Sequence, residues 1–234
     1  SRMNADRFDL SGRVALVSGG GTGIGRASAL VLAQHGAEVV VAGRRSQPLD
    51  DTADAIRALG RRALAIPTDV TVPAQCEALV ATTLAEFGRL DILVNSAGGG
   101  PTKGILKWTE DEWQELLQLN LGSVWFLSRC ASRPMLEQGK GAIVNISSGA
   151  ALLAMPQAAI YGAAKAGVVN ITGSMAAAWT RKGIRVNCVA SGAVRAATLT
   201  DEAQRLGFDV DLLGDTNAMG RLGEPDEIGW PVLF

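Results

Sequence analysis

Short apolar runs rich in Val, Ile and Leu alternate along the chain with longer segments whose apolar residues recur at helical spacing, the pattern of repeated strand-helix units. Residues 14–18 open as a strand. Residues 25–35 follow as a helix, with Ile24, Ala27, Ala29, Leu30 and Leu32 building its apolar surface and Gly36 supplying a left-handed stop. The spacing then predicts strands over 39–42, 63–66, 90–94, 142–146 and 184–189. Between them it predicts helices over 49–59, 74–87, 111–137 (kinked at Pro134) and 158–181, with Gly60 and Gly88 closing two of them. Most of the strands lack regular polar alternation, so both faces should be buried, and each crossover is long enough to hold a helix. The strands should therefore run parallel, in a doubly wound α/β sheet with helices on both faces. Ligands on such sheets bind beyond the carboxyl ends of the strands, where the winding reverses. The irregular stretch 193–223, interrupted by Gly207, Gly214 and Gly220, reads as a mobile lid.

Composition narrows the partners. The chain has 234 residues, 47% of them hydrophobic, enough for a substantial core in a single domain spanning 1–234. With 22 basic against 23 acidic residues, no field is expected that would gather nucleic acid or an anionic membrane. The opening residues 1–4 lack the apolar centre of a signal peptide and no long apolar run occurs, so a cytoplasmic location is the expectation. Cys76, Cys130 and Cys188 are odd in number and far apart, which suggests reduced packing residues and neither a disulfide framework nor a metal site.

Three places carry chemistry. The first is the string from Ser18 to Gly25 at the junction of the first strand and helix, where Gly19, Gly21, Thr22, Gly23, Ile24 and Gly25 form a tight turn. Backbone amides there can approach a pyrophosphate, and the helix N-terminus favours its charge. The second strand ends in Gly43-Arg44-Arg45, without the acidic residue that takes ribose hydroxyls in NAD-selective sheets. Arg44, with Arg45 beside it, can instead form a forked contact with a 2′-phosphate, so NADP(H) is preferred and NAD(H) possible. The third place is Tyr161-Gly162-Ala163-Ala164-Lys165. Residues four apart share a helix face, and an ammonium beside a phenol favours phenolate, which should bring its acidity toward the working range. Tyr161 is the only tyrosine, and Ser147-Ser148 end the preceding strand on the ligand side.

Together the glycine turn, Asn95-Ser96-Ala97-Gly98, Asn120, Ser148 and the Tyr161/Lys165 pair resemble the short-chain dehydrogenase/reductase family over essentially the whole chain. The resemblance implies a Rossmann fold and an enzyme that moves hydride between nicotinamide and a ketone or secondary alcohol. It makes Tyr161 the general acid or base and Ser148 the support of the substrate oxygen. Lys165 becomes the residue that holds the nicotinamide ribose and lowers the Tyr161 pKa, and Asn120 a member of a water-mediated proton relay. Asp69 and Val70 would flank the adenine, Gly98 would line the ribose pocket, and Val194 would meet the carboxamide through its backbone; Asn95, Ala97 and Gly192 would also contact the cofactor. It also implies a homodimer or homotetramer through the two long helices, and a seventh strand beyond Phe234. Ser18, Ser96 and Ser191 depart from the family's usual Thr, Asn and Pro, and Ala196 stands where a hydroxyl residue often occurs. Ser191 should loosen the grip on the nicotinamide.

Two other readings stand beside this one: an enoyl-thioester reductase, suggested by the glycine-rich wording of both turns, and a non-catalytic NADP(H)-binding sensor or scaffold. A serine hydrolase is disfavoured, since His35, the sole histidine, falls at a helix end and Ser148 lacks a Gly-x-Ser-x-Gly elbow. His35 should contact exposed helix-end carbonyls. Glu110, Asp111 and Glu112 should serve a helix N-terminus. Trp108, Trp113 and Trp125 should pack or line an apolar entrance.

Overall fold

The computed structural model describes residues 6–234; the opening segment weighed above as a leader lies outside the described residues. Six strands form one parallel sheet: β1 (Val14–Ser18), β2 (Glu38–Gly43), β3 (Ala63–Pro67), β4 (Ile92–Asn95), β5 (Gly141–Ser148) and β6 (Ile184–Ser191). Their spatial order is β3-β2-β1-β4-β5-β6, and every pairing is parallel, from Val14 opposite Glu38 to Ser148 opposite Ser191. The winding reverses between β1 and β4, which opens a crevice at their carboxyl ends.

Helices α1 (Gly23–Gln34), α2 (Ser46–Ala58) and α3 (Pro73–Phe87) connect the first four strands. The two faces of the sheet bury separate cores. One gathers Leu16, Leu93, Leu127, Met135 and Ile143, the other Val17, Leu32, Val41, Leu49 and Ile56. Strands buried on both sides explain why β1, β2 and β4 read as continuous apolar runs. Gly88 closes α3 at φ 74°, the left-handed conformation expected of it.

The largest departure from the sequence reading concerns the helix expected over 111–137. It is instead α4 (Glu110–Leu117), a π-helical turn (Gln118–Gly122) and α5 (Ser123–Gln138). Pro134 lies inside α5, and the break comes at Asn120. There the Asn120 Nδ2 donates to the Leu116 carbonyl at 3.0 Å, occupying the i−4 acceptor of the backbone, while the Ser123 amide reaches back to the Gln118 carbonyl. A side chain inserted into the helical ladder widens the turn. The next helix, α6 (Ala159–Trp179), is shorter than expected by a closing 3-10 turn, Thr180–Lys182. Strand β4 begins later than expected because Gln138 pins Leu90, accepting from its amide and donating to its carbonyl.

The stretch expected as a lid holds α7 (Ala197–Leu206) and a 3-10 segment, Val210–Thr216; α8 (Pro225–Leu233) follows. Both ends of the stretch are fastened, since Val194 bridges Gly223 in parallel and Asn217 bonds both backbone groups of Ala193. The structural expectations for His35 and the acidic cluster hold. His35 Nδ1 meets the Val31 carbonyl at 2.9 Å, and Thr109 with Glu112 forms a capping box at the start of α4. All three cysteines are free, with Cys76 and Cys130 buried and Cys188 half-buried.

Candidate active site

The glycine turn is shaped by what cannot fit there. Gly25 packs so closely on the preceding loop that a β-carbon would overlap the Gly19 carbonyl, and Gly19 itself, at φ +69°, lies against the backbone of Ala97. No side chain caps α1, whose N-cap is Thr22, and its first turn carries no acidic residue. Its leading amides therefore face the crevice unpaired by side chains, as an anion site requires. The Ser18 hydroxyl accepts from the amides of Ser96 and Ala97 at 3.2 and 3.3 Å, joining the ends of β1 and β4. This bridging role for the departure at Ser18 was not legible in the sequence.

At the end of β2, Arg44 and Arg45 are both exposed. Arg44 shares the wall of a cavity of about 630 Å³ with Asp69, Thr71 and Gln118. The Asp69 carboxylate accepts from the amide and hydroxyl of Thr71, and these bonds, with Arg44 nearby, hold its pKa below the usual carboxylate range against the effect of partial burial. Val70 is buried in the core at 5% exposure, so it offers the crevice only backbone. Asn95 is likewise turned inward: its Nδ2 donates to Ser128 Oγ at 2.9 Å and to Asn145 Oδ1 at 2.8 Å. Asn145 in turn donates to Thr172 Oγ1 at 2.9 Å, tying β4, β5, α5 and α6 together beneath the site. Sequence reasoning missed Asn145, although a lone amide inside the apolar run of β5 was the available signal.

Ser148, Tyr161, Lys165 and Asn120 are brought together by β5, α6 and the π turn. A hydrogen bond from the Ser148 hydroxyl draws the Tyr161 pKa down, but burial outweighs it and the phenol lies above its ordinary value. The phenol therefore does not stand on the acidic side of its ordinary value, where the neighbouring Lys165 alone would have moved it. The Lys165 ammonium sits 5.6 Å from the ring centroid, and its own burial pushes it down to about 8. Desolvation is the leading cause at both groups, disfavouring phenolate at Tyr161 and ammonium at Lys165. Lys165 Nζ donates to the Ile146 carbonyl at 2.9 Å, while Ser147, expected on the ligand side, is buried and donates to the Lys165 carbonyl.

Asn120 is fully buried, and its carboxamide both accepts from the Gly99 amide and donates to the Gly99 carbonyl, at 2.9 and 2.8 Å. A methyl group built on Gly98 would lie 2.8 Å from Asn120 Oδ1 and 3.2 Å from Lys165 Nζ. The loop after β4, the lysine and the asparagine thus converge on one point. Gly192 lies against Asn217, the neighbouring Val194 is buried in its bridge with Gly223, and Ala196 approaches Gly23.

The sequence pattern of short chain dehydrogenases matches residues 13–206. The chain belongs to the short-chain dehydrogenase/reductase family. It is 40% identical over 225 residues to the short-chain reductase protein NovJ of Streptomyces niveus, covering 94% of this chain and 86% of that protein. It is 35% identical to the 2-dehydro-3-deoxy-D-gluconate 5-dehydrogenase of Escherichia coli (strain K12), covering 99% and 91%. Among solved structures it matches levodione reductase with a TM-score of 0.92 at 31% identity, covering 96% of this chain and 90% of that one. Membership makes the chain an oxidoreductase of the kind that uses a nicotinamide nucleotide, and the crevice fits one, with a turn whose glycines bring no side chains of their own and a helix start that no side chain caps. Among the described residues no helix is long and apolar enough to cross a membrane.

Proposed function

We propose that the chain is a single nucleotide-binding domain that reduces a ketone, reversibly, with NADP(H) preferred over NAD(H). When bound, the nicotinamide nucleotide supplies or accepts the hydride. The observation that carries the reading is geometric: Tyr161, half-buried, stands with Lys165 one turn along α6, the ammonium 5.6 Å from its ring centroid, and with Ser148 at the end of β5. A phenol that stays protonated at neutral pH is a proton donor to a substrate oxygen, and the Ser148 hydroxyl is placed to share that oxygen. Lys165 would hold the ribose hydroxyls. Asn120, with its side chain fully used on Gly99 and Leu116, would keep the Gly98 turn over Lys165 and so serve the proton relay. Gly19 to Gly25 would hold the pyrophosphate, with Asp69 and the Val70 backbone beside the adenine, Ala97 and Gly98 at the ribose, and Gly192 and Val194 at the carboxamide.

Arg44 supports the NADP(H) preference, being exposed at the end of β2 where no acidic residue stands. Tyr161→Phe should lower ketone-dependent NADPH oxidation at least a thousandfold while leaving NADPH fluorescence binding within threefold. Full activity in that variant refutes the reading, whereas a protein that binds nucleotide but turns over nothing before mutation is a sensor. Arg44→Ala should weaken NADPH at least tenfold and leave NADH unchanged; equal binding of both nucleotides by the parent protein defeats the preference. A homodimer or homotetramer through α5 and α6 is part of the proposal. Trp125 and Val169 stand exposed on these helices, and Gly173 opens on free space.

A further inference from the structure

We infer that the carbonyl substrate is neutral and apolar, and that the entrance discriminates against carboxylated and phosphorylated ketones. This rests on the reading of Tyr161 and Ser148 as the carbonyl site. Three segments surround those residues: the loop from Ser96 to Thr109 after β4, the loop from Gly149 to Ala158 after β5, and the stretch from Gly192 to Gly223 after β6. They are fastened into one rim. The Lys103 amide donates to the Gln157 carbonyl at 2.8 Å, and the amide and hydroxyl of Thr102 both donate to Glu202 at 2.7 Å.

Large apolar side chains stand out on all three segments. Leu106 is 97% exposed, Leu152 72%, Leu153 68%, Leu212 63% and Met219 73%. Leu152 and Leu153 belong to the segment that joins Ser148 to Tyr161. Exposed apolar residues carried on all three segments that follow the strands' carboxyl ends mark a surface that a ligand covers.

The arginines of the same rim, and Lys103, are already engaged. Arg195 pairs with Asp211 at 2.6 Å and Glu224 at 3.2 Å, Arg205 with Glu202 at 2.6 Å, and Arg221 with Glu227 at 2.7 Å. Lys103 pairs with Glu112 and lies over the Trp108 ring. Asp201, Asp209 and Asp215 are exposed and have no cationic partner among the described residues, whereas Lys107 is the one rim cation in that position. An anion entering here would meet satisfied arginines, three free carboxylates and apolar surface, and would lose hydration without a partner.

The test is a matched pair on one ring: methyl 4-oxocyclohexanecarboxylate, which is neutral, and 4-oxocyclohexanecarboxylate, its anion, each at pH 7.5 with saturating NADPH. We expect kcat/KM for the ester to exceed that for the acid at least tenfold. Asp211→Asn, which frees one arm of Arg195, should raise kcat/KM for the acid at least threefold with the ester within twofold. Equal or better turnover of the acid overturns the inference while leaving the carbonyl site intact, and its loss on Lys107→Gln would name the cation responsible. Turnover of neither ketone, with NADPH bound, defeats the site reading and the inference together.

Discussion

Replacing Lys165 by methionine should make the protein without nucleotide more stable at neutral pH. The ammonium is 4% exposed, and burial holds its pKa at about 8 against an ordinary 10.5. Below pH 8 the folded state therefore carries a charge that its surroundings disfavour. At ~1.4 kcal/mol per unit the displacement corresponds to about 3 kcal/mol. Methionine keeps the length and removes the charge, but forfeits the bond to the Ile146 carbonyl, worth about 1 kcal/mol. The net gain at pH 7 is thus about 2 kcal/mol. Its pH dependence follows from proton counting. Between about 8 and 10.5 the unfolded lysine binds a proton that the folded one has released, so the parent's unfolding free energy rises with pH in that window and its deficit disappears. Urea unfolding followed through the five tryptophans, at pH 7 and pH 10, reads both quantities. A Lys165→Met variant less stable than its parent at pH 7, or a difference that does not change between the two pH values, refutes the reasoning. A buried, disfavoured cation of this kind is kept for function, and the same variant should lose ketone-dependent oxidation of NADPH.

At the opposite end of the sheet, Asp91 accepts from Arg13 at 3.1 Å, from Arg89 at 2.7 Å and from the Val14 amide at 2.9 Å. Asp91→Ala should destabilise by about 2 kcal/mol in urea melts, less than for a fully buried pair because both arginines are partly hydrated. Those partners hold the Asp91 pKa below its ordinary value despite burial. Its contribution is therefore complete above the ordinary carboxylate range and lost as pH falls through the lowered value, so the variant should show a shallower acid-unfolding curve. Gly25→Ala should cost about 2 kcal/mol by overpacking and weaken NADPH at least tenfold, because the added carbon meets the Gly19 carbonyl. A variant with parent-like melting and nucleotide affinity would show that the turn tolerates a side chain there.

The sequence by itself determined what depends on near neighbours in the chain. Period and apolar run length placed all six strands, and long crossovers made them parallel, because such connections can hold only a returning helix. The spacing of Tyr161 and Lys165 fixed one helical face, and the position of Gly19 to Gly25 between β1 and α1 fixed the turn. What depends on partners distant in sequence was decided by the tertiary structure. The π turn at Asn120 exists because that amide found Gly99 and the Leu116 carbonyl, a choice no local propensity encodes. The side-chain amide of Asn95 meets Ser128 and Asn145 across the strands, where an unpaired buried amide would be costly, which leaves the backbone of Asn95 for the cofactor contact expected of it. The arginines after β6 could have faced a substrate, and only the packing of that stretch gave each a carboxylate. The same holds for the direction of the Tyr161 pKa. Helical spacing put a cation beside the phenol, but the depth at which the fold buries both groups was set by the tertiary structure, and desolvation there raises the phenol and lowers the ammonium.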